Sequence, residues 1–150
     1  MKSENPHILN ISPPLDMNPD WFSGHVAYSM AKFGMSLCVL GMAAEFKDDG
    51  VAVNALWPRT AIATAAVKNV LGGEQLVNIS RGPEIMADAA YVILTKPSKE
   101  FSGNFCIDDT LLAENGVSDF SVYADVPFDQ LAPDFFVPED MPPPEAAKKS

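Results

Sequence analysis

Val51-Ala52-Val53-Asn54-Ala55-Leu56-Trp57-Pro58 is an apolar run broken only by Asn54 and closed by a proline that cannot continue a strand ladder. Apolar on both faces, it reads as a strand buried within a sheet. Immediately upstream, Val26 to Lys47 carries Ala27, Ala31, Met35, Cys38, Met42 and Phe46 at spacings of three and four, which predicts a helix. Ser23 stands near its start as a candidate cap, and Asp48-Asp49-Gly50 ends it. Further upstream, His7-Ile8-Leu9-Asn10-Ile11 is a second short apolar run, stopped at Ser12-Pro13-Pro14. Strand, helix of about twenty residues and strand form a βαβ unit, whose strands must run parallel with a right-handed crossover.

Downstream, Thr60 to Leu71 is alanine-rich and predicts a helix closed by Gly72-Gly73, and Pro83 to Leu94 predicts another that opens on Pro83-Glu84. Asn104-Phe105-Cys106-Ile107-Asp108 reads as a third strand. The fold class is therefore α/β, about three parallel strands with flanking helices. Beyond Asp108 the sequence predicts extended packing or disorder. Pro138 to Ser150 in particular reads as a solvated, acidic, Pro-rich tail.

The chain has 20 acidic and 10 basic residues, a formal charge of −10. The imbalance lies at the C-terminal end, since residues 1–99 carry 8 basic and 9 acidic groups and residues 100–150 carry 2 and 11. Such a surface is unsuited to nucleic acid, which needs clustered Lys and Arg to neutralise phosphate. The longest apolar stretch, Gly34 to Ala44 with Ser36 inside it, falls short of the roughly 20 residues that span a bilayer, so no membrane span is expected. The first residues lack the apolar core of a secretory signal, and an intracellular location is expected. Cys38 and Cys106 read as separate buried thiols. His7 and His25 have no Cys or acidic neighbour at ligand spacing, so no metal site is expected.

Tyr28 and Lys32 lie four apart on the predicted helix and share one face. An ammonium near a phenol favours the phenolate, lowering a pKa that starts near 10 toward the working range of a general acid or base. Ser12 ends the first strand and Pro58 to Thr64 follows the second, both at the C-terminal strand edge where open α/β sheets place ligands.

Asn10-Ile11-Ser12, then Tyr28-Ser29-Met30-Ala31-Lys32, then Val53-Asn54-Ala55-Leu56-Trp57-Pro58, in that order, resemble the second half of a short-chain dehydrogenase/reductase. The resemblance implies the C-terminal half of a Rossmann-like doubly wound parallel sheet, a partial domain over residues 6–137 that lacks the nucleotide-binding N-terminal half. It implies Tyr28 as the proton-transferring acid or base. Lys32 would lower the tyrosine's pKa and hold the cofactor ribose, and Ser12 would hydrogen-bond the substrate oxygen. Pro58, Ile62 and Thr64 would form the loop over the nicotinamide and pyrophosphate of an NADP cofactor.

The substrate class implied is an apolar, lipid-like carbonyl or alcohol, fatty-acyl or steroid-like. Peroxisome or mitochondrion is the implied location, and homo-oligomer formation through the Tyr28–Lys32 helix the implied partnership. Where the family usually has Pro-Gly, this chain reads Pro58-Arg59, and Ser12 lies 16 residues before Tyr28, a little farther than is customary. Nothing in the 150 residues matches the glycine-rich turn that receives the pyrophosphate. The chain on its own is therefore expected to be inactive, and the alternative is a truncated isoform that serves as an interaction module.

Overall fold

A computed structural model describes residues 3–149. β1 (His7–Ile11), α1 (Val26–Glu45) and β2 (Ala52–Trp57) form the βαβ unit, and β3 (Phe105–Ile107) completes a three-stranded parallel sheet in the order β1-β2-β3. β1 pairs with β2 in parallel from His7↔Ala52 to Ile11↔Leu56. All six residues of β2 are buried, as expected of a central strand covered on both faces. Asn54 is tolerated there because its amide is satisfied: Oδ1 accepts from the Asn104 backbone and side-chain N–H groups at 3.0 and 2.9 Å, and Nδ2 donates to the Phe101 carbonyl at 2.9 Å.

The chain divides into two compact units. The first holds the residues up to Trp57, Ala90–Cys106 and Phe136–Pro138. Its core is Val39, Val53 and Ala55, packed by Ile8, Met42, Ala43, Phe46 and Phe105. The second holds Pro58–Ala89, Ile107–Phe135 and the residues from Glu139 onward.

In the first unit α1 packs on β1 and β2, and the stripe its periodicity suggested holds only at its C-terminal end, where Met42 and Phe46 pack on the core. Ser29, Phe33, Ser36 and Val39 are buried, while Ala27, Ala31 and Cys38 are exposed. The serines turn inward because loop carbonyls await them: Ser36 Oγ donates to Pro13 O at 2.7 Å, and Ser29 Oγ donates to Trp21 O. Cys38 is thus a surface thiol, and only Cys106 is buried. Ser23 does not hold the cap position; His25 does, and its side chain makes no capping bond to the helix. By length and composition α1 does meet the criterion for a membrane-spanning helix, which the shorter Gly34–Ala44 stretch does not suggest.

In the second unit the helix expected over residues 60–71 forms only from residue 65 onward, and it ends at Gly72 as expected. Its first residues are pulled into extended pairing: Ala61 N–H donates to Ala132 O, Arg81 N–H to Ala61 O and Ala63 N–H to Arg81 O, each at 2.9 Å. Isolated bridges join Thr60 to Pro133 and Ile62 to Arg81. The helical stretch begins at residue 65, is π-helical over Val67–Leu71, and is followed by α2 (Gly73–Val77). α3 (Glu84–Thr95) forms where it was expected. α4 (Asp108–Glu114) starts where the third strand was expected to finish. α5 (Glu145–Lys148) packs on α4 through the fully buried Ala147, while the charged residues Glu139, Asp140, Glu145, Lys148 and Lys149 are exposed.

Candidate active site

At the C-terminal edge of the sheet in the first unit, Lys32 reaches the strand end that precedes Ser12, and Tyr28 lies one turn before Lys32 on α1. Ser12 follows β1 directly, is fully buried, and its Oγ has no hydrogen-bond partner among the described residues. The chain on either side of it is held from α1. Lys32 Nζ donates to Ile11 O at 3.2 Å, and Ser36 Oγ to Pro13 O at 2.7 Å. Asn10 Nδ2 adds a bond to Met35 O at 3.2 Å, tying β1 to the same helix. A buried polar group without a partner is costly, and such groups in native proteins call for a ligand, a water or a catalytic role.

Lys32 Nζ also lies 5.1 Å from the centroid of the Trp57 ring at the end of β2, so one ammonium links both strand ends. Tyr28 is half-exposed, and its ring stacks on Phe136 with centroids 5.7 Å apart and planes 15° from parallel. Phe136 is fully buried and takes the left-handed backbone conformation, φ 69°, alone among the described non-glycine residues. Sequence reasoning gave it no role. Its signal was an aromatic pair, Phe135-Phe136, inside a Pro-rich stretch otherwise read as irregular. Of the other two tyrosines, Tyr91 is exposed and Tyr123 is paired. The Tyr123 hydroxyl donates to Asp88 at 2.7 Å, and burial together with that carboxylate pushes its pKa up to about 12.

The loop residues Pro58, Ile62 and Thr64 belong to the second unit. Pro58 and Ile62 are buried, whereas Thr64 is exposed and its Oγ1 accepts from Val67 N at 3.3 Å, capping the turn that follows. Arg59, standing where glycine is customary, builds a buried charged centre. Its Nε donates to both Asp109 oxygens at 2.7 and 2.8 Å, Nη1 to Met141 O at 2.7 Å, and Nη2 to Thr110 Oγ1 at 2.8 Å. Arg81 Nη1 reaches Asp109 at 3.2 Å, and its Cζ lies 5.7 and 5.6 Å from the Phe120 and Phe128 ring centroids. Asp108 Oδ1 accepts from the backbone N–H groups of Arg59 and Asp109 at 3.0 and 2.7 Å. Burial first, then the neighbouring Asp109 charge, pushes the Asp108 pKa up to about 7. The sequence signal for this centre was an Asp-Asp pair directly after an apolar strand, a place where charge is rarely solvated.

The parallel sheet and its βαβ crossover match part of the fold of short-chain dehydrogenases. The chain matches a short-chain dehydrogenase from Mycobacterium thermoresistibile with a TM-score of 0.81 and 50% identity, covering 94% of this chain and 50% of that one. Over the part of them that it spans, the chain is thus similar in sequence and in fold to short-chain dehydrogenases.

Among individual relatives it is 58% identical over 138 residues to hydroxysteroid dehydrogenase-like protein 2 of Bos taurus, covering 92% of this chain and 32% of that protein. A distant neighbour shares the fold alone: an angucycline C-6 ketoreductase solved with NADP bound, at 18% identity and a TM-score of 0.51, covering 68% of this chain and 41% of that one. No family model matches. The chain spans about a third of the length of the curated relatives it matches and half that of the solved dehydrogenase.

Proposed function

We propose that this chain carries the proton-transfer half of an NADP-type oxidoreductase acting on the carbonyl or hydroxyl of an apolar, fatty-acyl or steroid-like substrate, and that these 150 residues alone are inactive. The relatives support an oxidoreductase of the short-chain dehydrogenase kind. The observation that carries the reading is the buried, unpartnered Ser12 hydroxyl beside a strand end held by Lys32, with Tyr28 half-exposed on the same helix. These groups fit the nicotinamide end of a dinucleotide. The glycine-rich turn that would take the pyrophosphate has no counterpart in the 150 residues.

When bound, the nicotinamide supplies or accepts the hydride. Tyr28 gives its proton to the substrate oxygen during reduction, or as phenolate takes the hydroxyl proton during oxidation. Lys32 favours the phenolate by opposite-charge attraction and would hold the ribose. Ser12 Oγ hydrogen-bonds the substrate oxygen, which gives its hydroxyl the partner it lacks. Pro58, Ile62 and Thr64 would hold the nicotinamide and pyrophosphate side. On the resemblance alone, we place the protein in the peroxisome or mitochondrion.

Two measurements test the reading. With 3-fluorotyrosine incorporated and Tyr28→Phe used for assignment, 19F NMR should give a Tyr28 titration midpoint below the ordinary phenol value near 10. Lys32→Met should raise it, and an unmoved midpoint overturns the acid–base pair. Calorimetry with NADPH should show no tight binding by this chain alone, and stoichiometric tight binding overturns the inactive-fragment part.

A second reading, an interaction module, has its own support. Met30, Leu37 and Leu40 on α1 are exposed, and a Cβ added at Gly34 or Gly41 would meet nothing within 4 Å. Such a face suits close helix packing against a second copy. Light scattering that shows a discrete monomer removes that reading.

A further inference from the structure

Phe136 is bulky, fully buried and left-handed in its backbone. An L-residue of that size is held at positive φ only when its surroundings over-determine it, and such residues gather at functional sites. Its surroundings here are rings. Phe33 meets it edge-on at 5.1 Å and Trp21 edge-on at 5.9 Å, while Trp57 lies tilted at 6.0 Å. The fourth ring is Tyr28, which lies nearly parallel to Phe136 at 5.7 Å. This stack is asymmetric, because Phe136 is wholly buried while Tyr28 is half-exposed. Phe136 is the floor and Tyr28 the surface laid on it.

The same box also holds the ammonium. Lys32 Nζ sits 5.1 Å from the Trp57 centroid, and Trp57 in turn touches Phe136. Phenol and ammonium are therefore referred to each other through three contacts in series, Tyr28 on Phe136, Phe136 against Trp57, and Lys32 over Trp57. A four-residue helical spacing alone leaves both long side chains free to choose other rotamers.

We propose that Phe136 is a positioning residue for Tyr28, an aromatic floor that fixes the plane of the phenol and holds its hydroxyl in the field of Lys32. The inference rests on the proton-transfer reading above. It explains why the chain tolerates a left-handed phenylalanine: the strained backbone aims a flat face at the tyrosine.

The test uses the full chain labelled with 3-fluorotyrosine. Phe136→Leu keeps the site apolar and removes the flat face. The Tyr28 resonance should lose its ring-current shift, and its titration midpoint should rise by about half a pH unit, a threefold change in the ionisation constant. The Tyr91 and Tyr123 resonances should stay in place, which separates an effect on Tyr28 from general loosening. Phe136→Met, a flexible filler of similar bulk, is a second variant should the leucine fail to fold. A nuclear Overhauser contact between the Tyr28 and Phe136 rings in the unsubstituted chain is read independently. Absence of that contact, or a Tyr28 signal indifferent to both substitutions, overturns the proposal. If Lys32→Met leaves the midpoint unmoved, the proton-transfer reading fails; if Lys32→Met moves it and neither Phe136 variant does, only the positioning role fails.

Discussion

The two compact units are held by opposite means. The first is cohered by a parallel sheet, an aliphatic core of Val39, Val53 and Ala55, and a box of aromatic rings. In the second, short elements are gathered around two buried arginines and two buried aspartates, Arg59, Arg81, Asp108 and Asp109. Apolar packing degrades gradually as atoms are removed, because each contact is weak and non-directional. A buried charge cluster degrades abruptly, since removal of one member strands the others in a medium that cannot solvate them. The difference teaches that segments with little regular structure can still be closely packed where their polar groups converge on one buried centre.

The sharpest way to break this comparison is Asp109→Ala. It would leave the Arg59 and Arg81 guanidiniums buried without their shared carboxylate, and should cost about 3–5 kcal/mol in urea denaturation. Leu56→Ala in β2, also fully buried, should cost about 3 kcal/mol through a cavity alone. A loss at Asp109 smaller than that at Leu56 would mean that the charged centre is not what holds the second unit.

Legibility followed the same divide. β1 matched its apolar run from His7 to Ile11, and β2 and α3 fell within a residue of expectation, because alternation, length and proline stops are local signals. The buried stripe of α1 was legible only at Met42 and Phe46; earlier in the helix Ser29 and Ser36 face inward to bond the carbonyls of Trp21 and Pro13 in the preceding loop, which periodicity does not register. Residues 60–63 have helical composition but pair with Arg81 and Ala132, a case of tertiary contact overriding propensity. Ser12, Tyr28 and Lys32 could be named from a strand end and a helical spacing. Their setting could not, because Phe136 lies 108 residues beyond Tyr28 and nothing local marks it as a partner.

Acidity offers a finer probe of the second unit. The Asp108 pKa is raised to about 7 in the folded chain against an ordinary 3.8, so the folded state holds a proton that the unfolded state has lost between those values. That contribution is complete below about pH 4 and disappears as the pH rises through 7. Asp108→Asn keeps an acceptor for the Arg59 and Asp109 N–H groups and carries no charge. It should stabilise the chain by about 2 kcal/mol at pH 8 and flatten the pH 4–7 decline in thermal melts. Equal pH slopes for the two proteins would show that Asp108 is not the titrating group.

The smallest effect bears on the first unit and on its exposed helix. Gly41 lies inside α1, where glycine costs about 1 kcal/mol relative to alanine, and an added Cβ would meet nothing within 4 Å. In a monomer Gly41→Ala should therefore stabilise by roughly that amount. In a dimer packed closely through α1, the added methyl enters the seam between helices, so the same substitution should weaken association while raising the melting temperature of the dilute chain. Light scattering and thermal melts on one variant, at two protein concentrations, separate the two cases. A gain in stability at both concentrations would leave α1 as the cover of a sheet and nothing more.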